Sequence, residues 1–312
     1  MYIGIDLGGT NIAAALVDED GVIKKRANIP TAAKSGAEVV LDRLLHVCET
    51  LTADEAAPQS IGIGVPGTVN DMTGEVIFTP NLPLSGINII SGLQKKYACP
   101  IHVGNDANCA ALGEITVGGA KGAHDAVLIT LGTGIGGGIV LNGHLHTGAY
   151  GAAGELGHMV IIAGGRMCGC GRHGCWETYA SASGLIRTAS DVMETHKESL
   201  LWELCGGQTG EINGRIVFEA YRTGDRAAKL IVEQYIEHLA AGIANIINIL
   251  EPEMICVGGG ISNAWDCLAE LLHAAVDAER FARHSPQSPH TSLVKATLGN
   301  DAGIIGAALL HM

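Results

Sequence analysis

The sequence has few aromatic residues, no run of basic residues and no long apolar segment. Aromatic residues make up 4% of the 312 positions and apolar residues 47%, so the core must be built mainly from aliphatic side chains. The formal net charge is −13, which argues against nucleic acid or an anionic membrane surface as a binding partner. We therefore expect no nucleic acid and no membrane among the partners of this protein.

The chain also lacks the features of a targeting or membrane-spanning segment. Its first residues, MYIGIDLGG, contain an acid and no basic stretch, so we expect no secretory signal. The longest helix-like apolar run, Leu239 to Leu250, is interrupted by asparagines and is too short to cross a bilayer. These absences predict a cytoplasmic protein whose nine cysteines stay reduced and available to a metal.

Two common phosphate-binding motifs are missing or incomplete. No G-x-x-x-x-G-K-[ST] sequence is present, so a Walker A loop is excluded. G-x-G-x-x-G occurs from Gly62 to Gly67 and from Gly132 to Gly137, but a dinucleotide site needs a strand, the turn and then a helix. Pro66 interrupts the first copy, and the strand-like sequence IVLNG follows the second. A Rossmann fold is therefore disfavoured.

The two halves of the chain follow one pattern of strand, glycine turn and strand. Residues 2–17 and residues 125–143 each have it, which predicts a duplicated arrangement. Further strands are predicted at 60–65, 100–104 and 254–257, with helices over Ala37 to Leu51 and from an Asp225 N-cap to Leu250. We predict a small N-terminal domain at 1–118 that includes the C-terminal helix 299–312, and a larger domain at 119–298.

The glycine turns of both predicted hairpins could present backbone N–H groups to phosphate oxygens. A single such turn is more simply an ordinary hairpin, but two in a duplicated context favour a triphosphate site. Asp6 supports this hypothesis, because a carboxylate inside an apolar strand is costly unless it serves a ligand or metal. The candidate contacts are Gly8, Gly9, Thr10, Asn11, Gly132, Thr133 and Gly134, with a third glycine turn at 258–260.

A stretch rich in cysteine and glycine, Gly154 to Glu177, has the pattern of a metal site. Cys168, Cys170 and Cys175 form a C-x-C-x4-C cluster, and His158 lies ten residues before the first cysteine. Three thiolates and one imidazole have the ligand types and number of a tetrahedral structural zinc site. The alternative is a cysteine-rich surface loop without metal.

Seven motifs occur in the order found in ROK-family sugar kinases, and the resemblance covers residues 2–309: IGIDLGGTNI, GVPG, GNDAN, LGTGIGGG, GELGH, CGCGRHGCWE and VGGGIS. The resemblance implies an α/β, duplicated actin-like (hexokinase and RNase H-like) ATPase fold. It also implies two domains around a cleft and a zinc-binding insertion in the second. The expected activity is ATP-dependent phosphorylation of a hexose at its 6-hydroxyl, with glucose as the expected substrate and Mg²⁺ and structural Zn²⁺ as cofactors.

The resemblance also implies roles for individual residues. Asp106 matches the catalytic base, and its place at the start of a predicted helix favours the carboxylate form; the alternative is that Asn105 or Asp106 is only a helix N-cap. Asp6 is expected to orient Mg²⁺ through water, and Gly259 and Gly260 resemble an adenosine-side turn. The implied sugar contacts are Gly67, Asn81, Asn105, Asp106, Glu155, His158 and Glu177, with His158 also binding zinc.

Three other functions are compatible with parts of this pattern. The substrate could be another sugar, such as N-acetylmannosamine, allose or fructose, because these kinases share their contacting residues. A sugar-sensing repressor of the same family would carry an N-terminal helix-turn-helix, for which the hairpin beginning at Ile3 leaves no room. A catalytic zinc centre is disfavoured because four protein ligands leave no open position.

The family also implies a homo-oligomer, either a dimer or a tetramer.

Overall fold

The computed structural model describes residues 1–53, 55–281 and 290–312. The strands in chain order are β1 (Tyr2–Leu7), β2 (Asn11–Val17), β3 (Ile23–Pro30), β4 (Ser60–Val65), β5 (Thr68–Asn70), β6 (Glu75–Phe78), β7 (Ile101–Asn105), β8 (Ala126–Leu131), β9 (Ile135–Leu141), β10 (His144–Leu145), β11 (Met254–Gly258) and β12 (Ser292–Lys295).

The helices in chain order are α1 (Ala37–Thr52), α2 (Ile89–Leu93), α3 (Asp106–Thr116), α4 (Glu177–Ala180), α5 (Ala182–Met193), α6 (Leu200–Leu204), α7 (Gly214–Arg222), α8 (Arg226–Leu250), α9 (Trp265–Glu279) and α10 (Ala302–Ala308). Short 3-10 turns lie at Ala33–Ser35, Leu156–His158, Thr209–Glu211, Gly260–Ala264 and Gly299–Asp301. Within the described ranges, no helix combines the length and the apolar character needed to cross a membrane.

These residues form two compact units. The first contains Met1–Leu128, Gly137–Gly154 and Ala296–Met312, and the second contains Ile129–Gly136 and Glu155–Lys295. Residues 119–128, 137–154 and 296–298 fall in the first unit, whereas the sequence predicted a larger domain over 119–298. For residues 137–154, two close contacts account for the difference: Gly138 lies directly against Ala111 of α3, and Gly151 lies against the backbone of Val69 in β5.

The same strand order occurs in two five-stranded sheets. The first sheet has the order β3-β2-β1-β4-β7, with β1, β2 and β3 antiparallel and β1, β4 and β7 parallel. The second has the order β10-β9-β8-β11-β12, with β9 and β10 antiparallel and β11 and β12 parallel. The predicted duplication is thus visible in the topology, although β12 was not predicted.

The long helix α8 begins and ends as its sequence indicates. The Asp225 side chain accepts a hydrogen bond of 2.8 Å from the Ala228 N–H, as expected of an N-cap. Glu251 has a left-handed backbone with φ of 44°, and Pro252 follows it. The apolar side chains on one face of α8 are buried, so the helix is part of the core of the second unit: Val232, Ile236, Leu239, Ile243, Ile246 and Ile247.

The C-terminal helix α10 packs on the first sheet through glycines. Gly4 and Gly62 are neighbours across β1 and β4, and a side chain on either would collide with a carbonyl oxygen of α10. On its other side, Gly306 of α10 touches the backbone of Cys109 in α3. Helix α3 directly follows β7 and packs against α10. These two constraints fix the position of its first residue, Asp106.

Candidate active site and metal centre

Asp106 is the first residue of α3, at the edge where the parallel strands of the first sheet end. In the register, Asp6 of β1 lies opposite Gly64 of β4, and Val65 lies opposite Asn105 at the end of β7. The carboxyl ends of parallel strands meet at one edge of a sheet, where ligands of α/β proteins bind. The sequence therefore brings both predicted carboxylates, Asp6 and Asp106, to the edge that is suited to a ligand.

The sequence left open whether Asn105 or Asp106 is only a helix N-cap, and the structure gives the N-cap role to Asn105. Asn105 is the N-cap: its Oδ1 accepts from the Asn108 N–H at 3.1 Å, and its Nδ2 donates to the Gly67 carbonyl at 2.9 Å. Asp106 lies inside the helix, where its Oδ1 accepts from the Ala107 N–H at 2.8 Å. The capping interpretation thus holds for Asn105, and Asp106 places a carboxylate at the positive end of the helix.

The two carboxylates influence each other. Burial, and secondly the negative charge of Asp106, raise the pKa of Asp6 from 3.8 to about 6. A buried acid beside a second acid is stabilised by a proton or by a cation, because the like charges repel. Such an arrangement is suited to a site that receives a metal ion together with its ligand.

The first glycine turn, Gly8 to Asn11, is fixed by hydrogen bonds from the buried Thr31. The Gly8 N–H donates to the Asn11 carbonyl at 2.9 Å, while Thr31 donates through Oγ1 to the Gly8 carbonyl at 2.6 Å. The Thr31 N–H donates to the Thr10 carbonyl at 2.8 Å. Gly9, Thr10 and Asn11 are exposed, and Asn81 lies against Gly9. The role of Thr31 could not be predicted, since a threonine that directly follows a strand gives no sequence signal of it.

The second and third glycine turns meet at the end of β8. The Ala182 N–H donates to the Gly132 carbonyl at 2.8 Å, and the Gly132 N–H donates to the Gly134 carbonyl at 3.1 Å. Gly259, with φ of 83°, packs on the Leu131 backbone so closely that no side chain would fit. Thr133 is exposed, and so is Gly260, which faces open space. The predicted nucleotide-side glycines of the second unit are therefore neighbours.

His158, Cys168, Cys170 and Cys175 form a cluster whose four potential ligand atoms lie within 4.8 Å of one another. The Cys170 and Cys175 Sγ atoms are 3.7 Å apart, and the Cys168 Sγ is 3.7 Å from the His158 Nδ1. Zinc–sulfur bonds of about 2.3 Å in a tetrahedron place two sulfurs about 3.8 Å apart. The donor set and its spacing thus fit a four-coordinate metal of the zinc type.

The predicted sugar contacts of the second unit surround the histidine of this cluster. The His158 Nδ1 is 3.6 Å from Glu177 Oε1, and its Nε2 is 3.9 Å from Glu155 Oε2. Glu177 Oε1 also lies 2.9 Å from the Cys168 Sγ, while its Oε2 is directed at Gly134. One nitrogen of the imidazole thus faces the cluster and the other faces a half-exposed carboxylate.

Two side chains that the sequence analysis did not single out anchor the segment around the cluster. We call residues 166–175 the cysteine loop. Arg166 begins this loop, and its side chain reaches α4 and α5. The Trp176 indole follows the loop, is fully buried and donates to the His238 carbonyl of α8 at 2.9 Å. An arginine in a glycine-rich segment gives no sequence signal of such a contact.

The repeated sheet order and the glycine turns define a protein of the duplicated actin-like ATPase fold, as predicted. The chain belongs to the ROK family, whose model matches residues 2–312. The glucokinases of Halalkalibacterium halodurans and Thermotoga maritima are each 37% identical to it, over 99% and 98% of this chain and 94% and 95% of theirs. A Streptomyces griseus ROK glucokinase, solved with glucose and AMPPNP, is 34% identical with a TM-score of 0.81, covering 99% of this chain and 98% of that one.

Proposed function

We propose that this protein is a sugar kinase that transfers the γ-phosphate of ATP to the 6-hydroxyl of glucose. The observation that carries the proposal is the carboxylate of Asp106 at the start of α3, on the ligand-binding edge of the sheet and close enough to Asp6 to raise its pKa. The similarity to proteins named glucokinase, one of them bound to glucose and an ATP analogue, supports the substrate pair.

Asp106 is the proposed general base. It accepts the proton of the sugar 6-hydroxyl while that oxygen attacks the γ-phosphorus; the bond from phosphorus to the ADP oxygen breaks, and ADP leaves. Positioning and charge stabilisation supply most of the rate enhancement in such a transfer, and a general base contributes about 10²- to 10⁴-fold. Asp6, held on the same edge of the sheet, is proposed to orient the Mg²⁺ of MgATP through water.

The remaining residues bind and orient the two substrates. We propose that the exposed glycine turns donate backbone N–H groups to the phosphates and that the turn at Gly259 and Gly260 lies on the adenosine side. Amide and carboxylate groups pair well with several sugar hydroxyls, since they offer both donors and acceptors. The proposed sugar contacts are Gly67, Asn81, Asn105, Asp106, Glu155, His158 and Glu177.

The cysteine cluster is proposed to hold a structural zinc ion. Bound there, zinc would fix the cysteine loop and have no open position for a reacting water. Coordination through Nδ1 of His158 would leave a protonated Nε2, which can donate to a sugar hydroxyl. The cluster would then serve substrate recognition, while proton transfer belongs to Asp106. The homo-oligomeric state and the cytoplasmic location stay predictions.

The test is a panel of sugars with ATP and Mg²⁺, followed by coupled detection of ADP. We expect turnover with glucose and transfer to its 6-hydroxyl, identified by NMR of the product. A preference for N-acetylmannosamine, allose or fructose would replace the substrate and keep the kinase assignment. Absence of turnover with every hexose would contradict the assignment. Polyphosphate in place of ATP tests the phosphoryl donor in the same assay.

A further inference from the structure

The cysteine loop is closed at its base by a backbone contact of Arg166. The Gly174 N–H donates to the Arg166 carbonyl at 2.8 Å, so the first residue of the loop is joined to the residue that precedes Cys175. The Arg166 N–H donates in turn to the Tyr179 hydroxyl oxygen at 2.6 Å. The base of the loop is therefore attached to α4, the helix that begins with Glu177.

The guanidinium of Arg166 makes a second, independent attachment. Its Nη1 donates to the Thr178 carbonyl and to the Thr188 Oγ1, both at 3.1 Å, and its Nη2 donates to Asp191 Oδ2 at 3.1 Å. The same group lies 4.8 Å from the centre of the Tyr179 ring, a cation–π distance. Only 17% of the Arg166 side chain is exposed, so its contacts with Thr178 and Thr188 are partly buried, whereas its partner Asp191 is 64% exposed.

These contacts fix the backbone on one side of Glu177, and Trp176 fixes it on the other. Thr178, whose carbonyl Arg166 holds, directly follows Glu177, while the buried Trp176 indole directly precedes it and is packed against Gly242 of α8. Both neighbours of Glu177 are thus held by protein contacts that involve no metal. The Glu177 side chain is then directed at the Cys168 thiol and Gly134.

We propose that Arg166 is a positioning residue that holds Glu177 and the cysteine loop in the geometry that binds the sugar. The inference rests on the proposed function, because it takes Glu177 to be a sugar contact. Arg166 acts through the Thr178 carbonyl and the loop backbone and touches neither substrate. The planar fork is essential, since one guanidinium donates to the Thr178 carbonyl of α4 and to Thr188 and Asp191 of α5 at once, and an ammonium cannot reproduce that geometry.

The experiment compares Arg166→Met, which keeps much of the apolar stem and removes the fork, with Arg166→Lys, which keeps the charge. Arg222→Met is the matched control, because Arg222 makes a bidentate pair with Asp266 on the surface of the same unit. For each purified protein, the steady-state constants for sugar and for ATP are measured. The rate of zinc release to a chromophoric chelator and the unfolding temperature are measured alongside.

We expect Arg166→Met to raise the KM for the sugar about tenfold, with kcat and the KM for ATP changed less than about twofold. Zinc should leave this variant faster than it leaves the wild type, Arg166→Lys should be intermediate, and Arg222→Met should match the wild type. A lower unfolding temperature with unchanged sugar KM and unchanged zinc release would overturn the inference. If the wild type phosphorylates no hexose, the proposed function fails, and the rate of zinc release then decides the inference about Arg166 alone.

Discussion

The two five-stranded sheets share a strand order but differ at the positions that we propose to carry the chemistry. β1 ends in Asp6-Leu7 before Gly8, whereas β8 ends in Thr130-Leu131 before Gly132. The first sheet has Gly4 where the second, aligned on the glycine turns that follow β1 and β8, has Leu128, and Gly4 pairs with Gly62 of β4. Only the first sheet thus carries a partly buried acid, Asp6, and a glycine floor, formed by Gly4 and Gly62, on which α10 packs.

Under the proposed function, this difference corresponds to a proton acceptor in the first unit and a cysteine cluster that serves sugar recognition in the second. The glycine floor lets α10 approach the first sheet and hold α3, so the acids of that unit have fixed positions. The second unit has no acid at the position of Asp6, and its polar side chains come from the cysteine loop and α4 instead. We therefore expect changes in the first unit to affect the transfer rate or the stability and changes in the cluster to affect sugar binding.

The largest effect is expected for Asp106→Asn. Loss of the proton acceptor should lower kcat about a thousandfold, because a general base contributes between about 10² and 10⁴. Sugar affinity, measured by calorimetry without ATP, should change little, since an amide can still hydrogen-bond a hydroxyl. A variant that keeps more than a tenth of the wild-type kcat would show that Asp106 is not the base.

Asp6→Asn should stabilise the protein in a pH-dependent way. The pKa of Asp6 is raised from 3.8 to about 6, so the folded state binds this proton more tightly than the unfolded state. Its contribution to stability is complete below pH 3.8 and is lost as the pH rises to 6. The ionised acid then costs about 3 kcal/mol.

Urea unfolding without Mg²⁺ or nucleotide tests this expectation. The gain of Asp6→Asn over the wild type should be about 3 kcal/mol at pH 8 and about half of that at pH 5. The control is Thr130→Val at the matching position of the second sheet, whose effect should be the same at both pH values because threonine does not titrate. An equal gain for Asp6→Asn at the two pH values would show that its pKa is not raised.

Gly62→Ala tests the glycine floor. The added methyl group would collide with the Ala307 carbonyl, so α10 must shift, and overpacking of this kind costs about 2 kcal/mol. The control is Cys256→Ala in the middle of β11 of the second sheet, which removes one buried sulfur and should cost about 1 kcal/mol. Both losses are measured as free energies of unfolding in urea, and a Gly62→Ala protein as stable as the wild type would remove the proposed difference between the sheets.

Much of this arrangement could be predicted because it depends on local sequence. The Asp225 cap, the two strand–turn–strand segments and the cysteine spacing are each visible within a few residues of chain. The attachments of Thr31, Arg166 and Trp176 could not be predicted, because they join elements that are distant in sequence and use ordinary side chains. The grouping of residues 137–154 with the first unit was missed for the same reason, since it depends on Gly138 meeting α3.

The smallest expected effect on the reaction comes from the second unit. Cys175→Ser removes a buried sulfur of the cluster, so zinc content should fall and the KM for the sugar should rise about tenfold, with the KM for ATP nearly unchanged. Cys267→Ser is the control, because this cysteine lies on α9 and contacts Asp266 rather than the cluster. Metal is measured by atomic absorption and the constants by coupled ADP release. Full sugar affinity in a metal-free Cys175→Ser protein would mean that Arg166 and Trp176 hold Glu177 without the cluster. Recognition would then depend on the protein anchors alone.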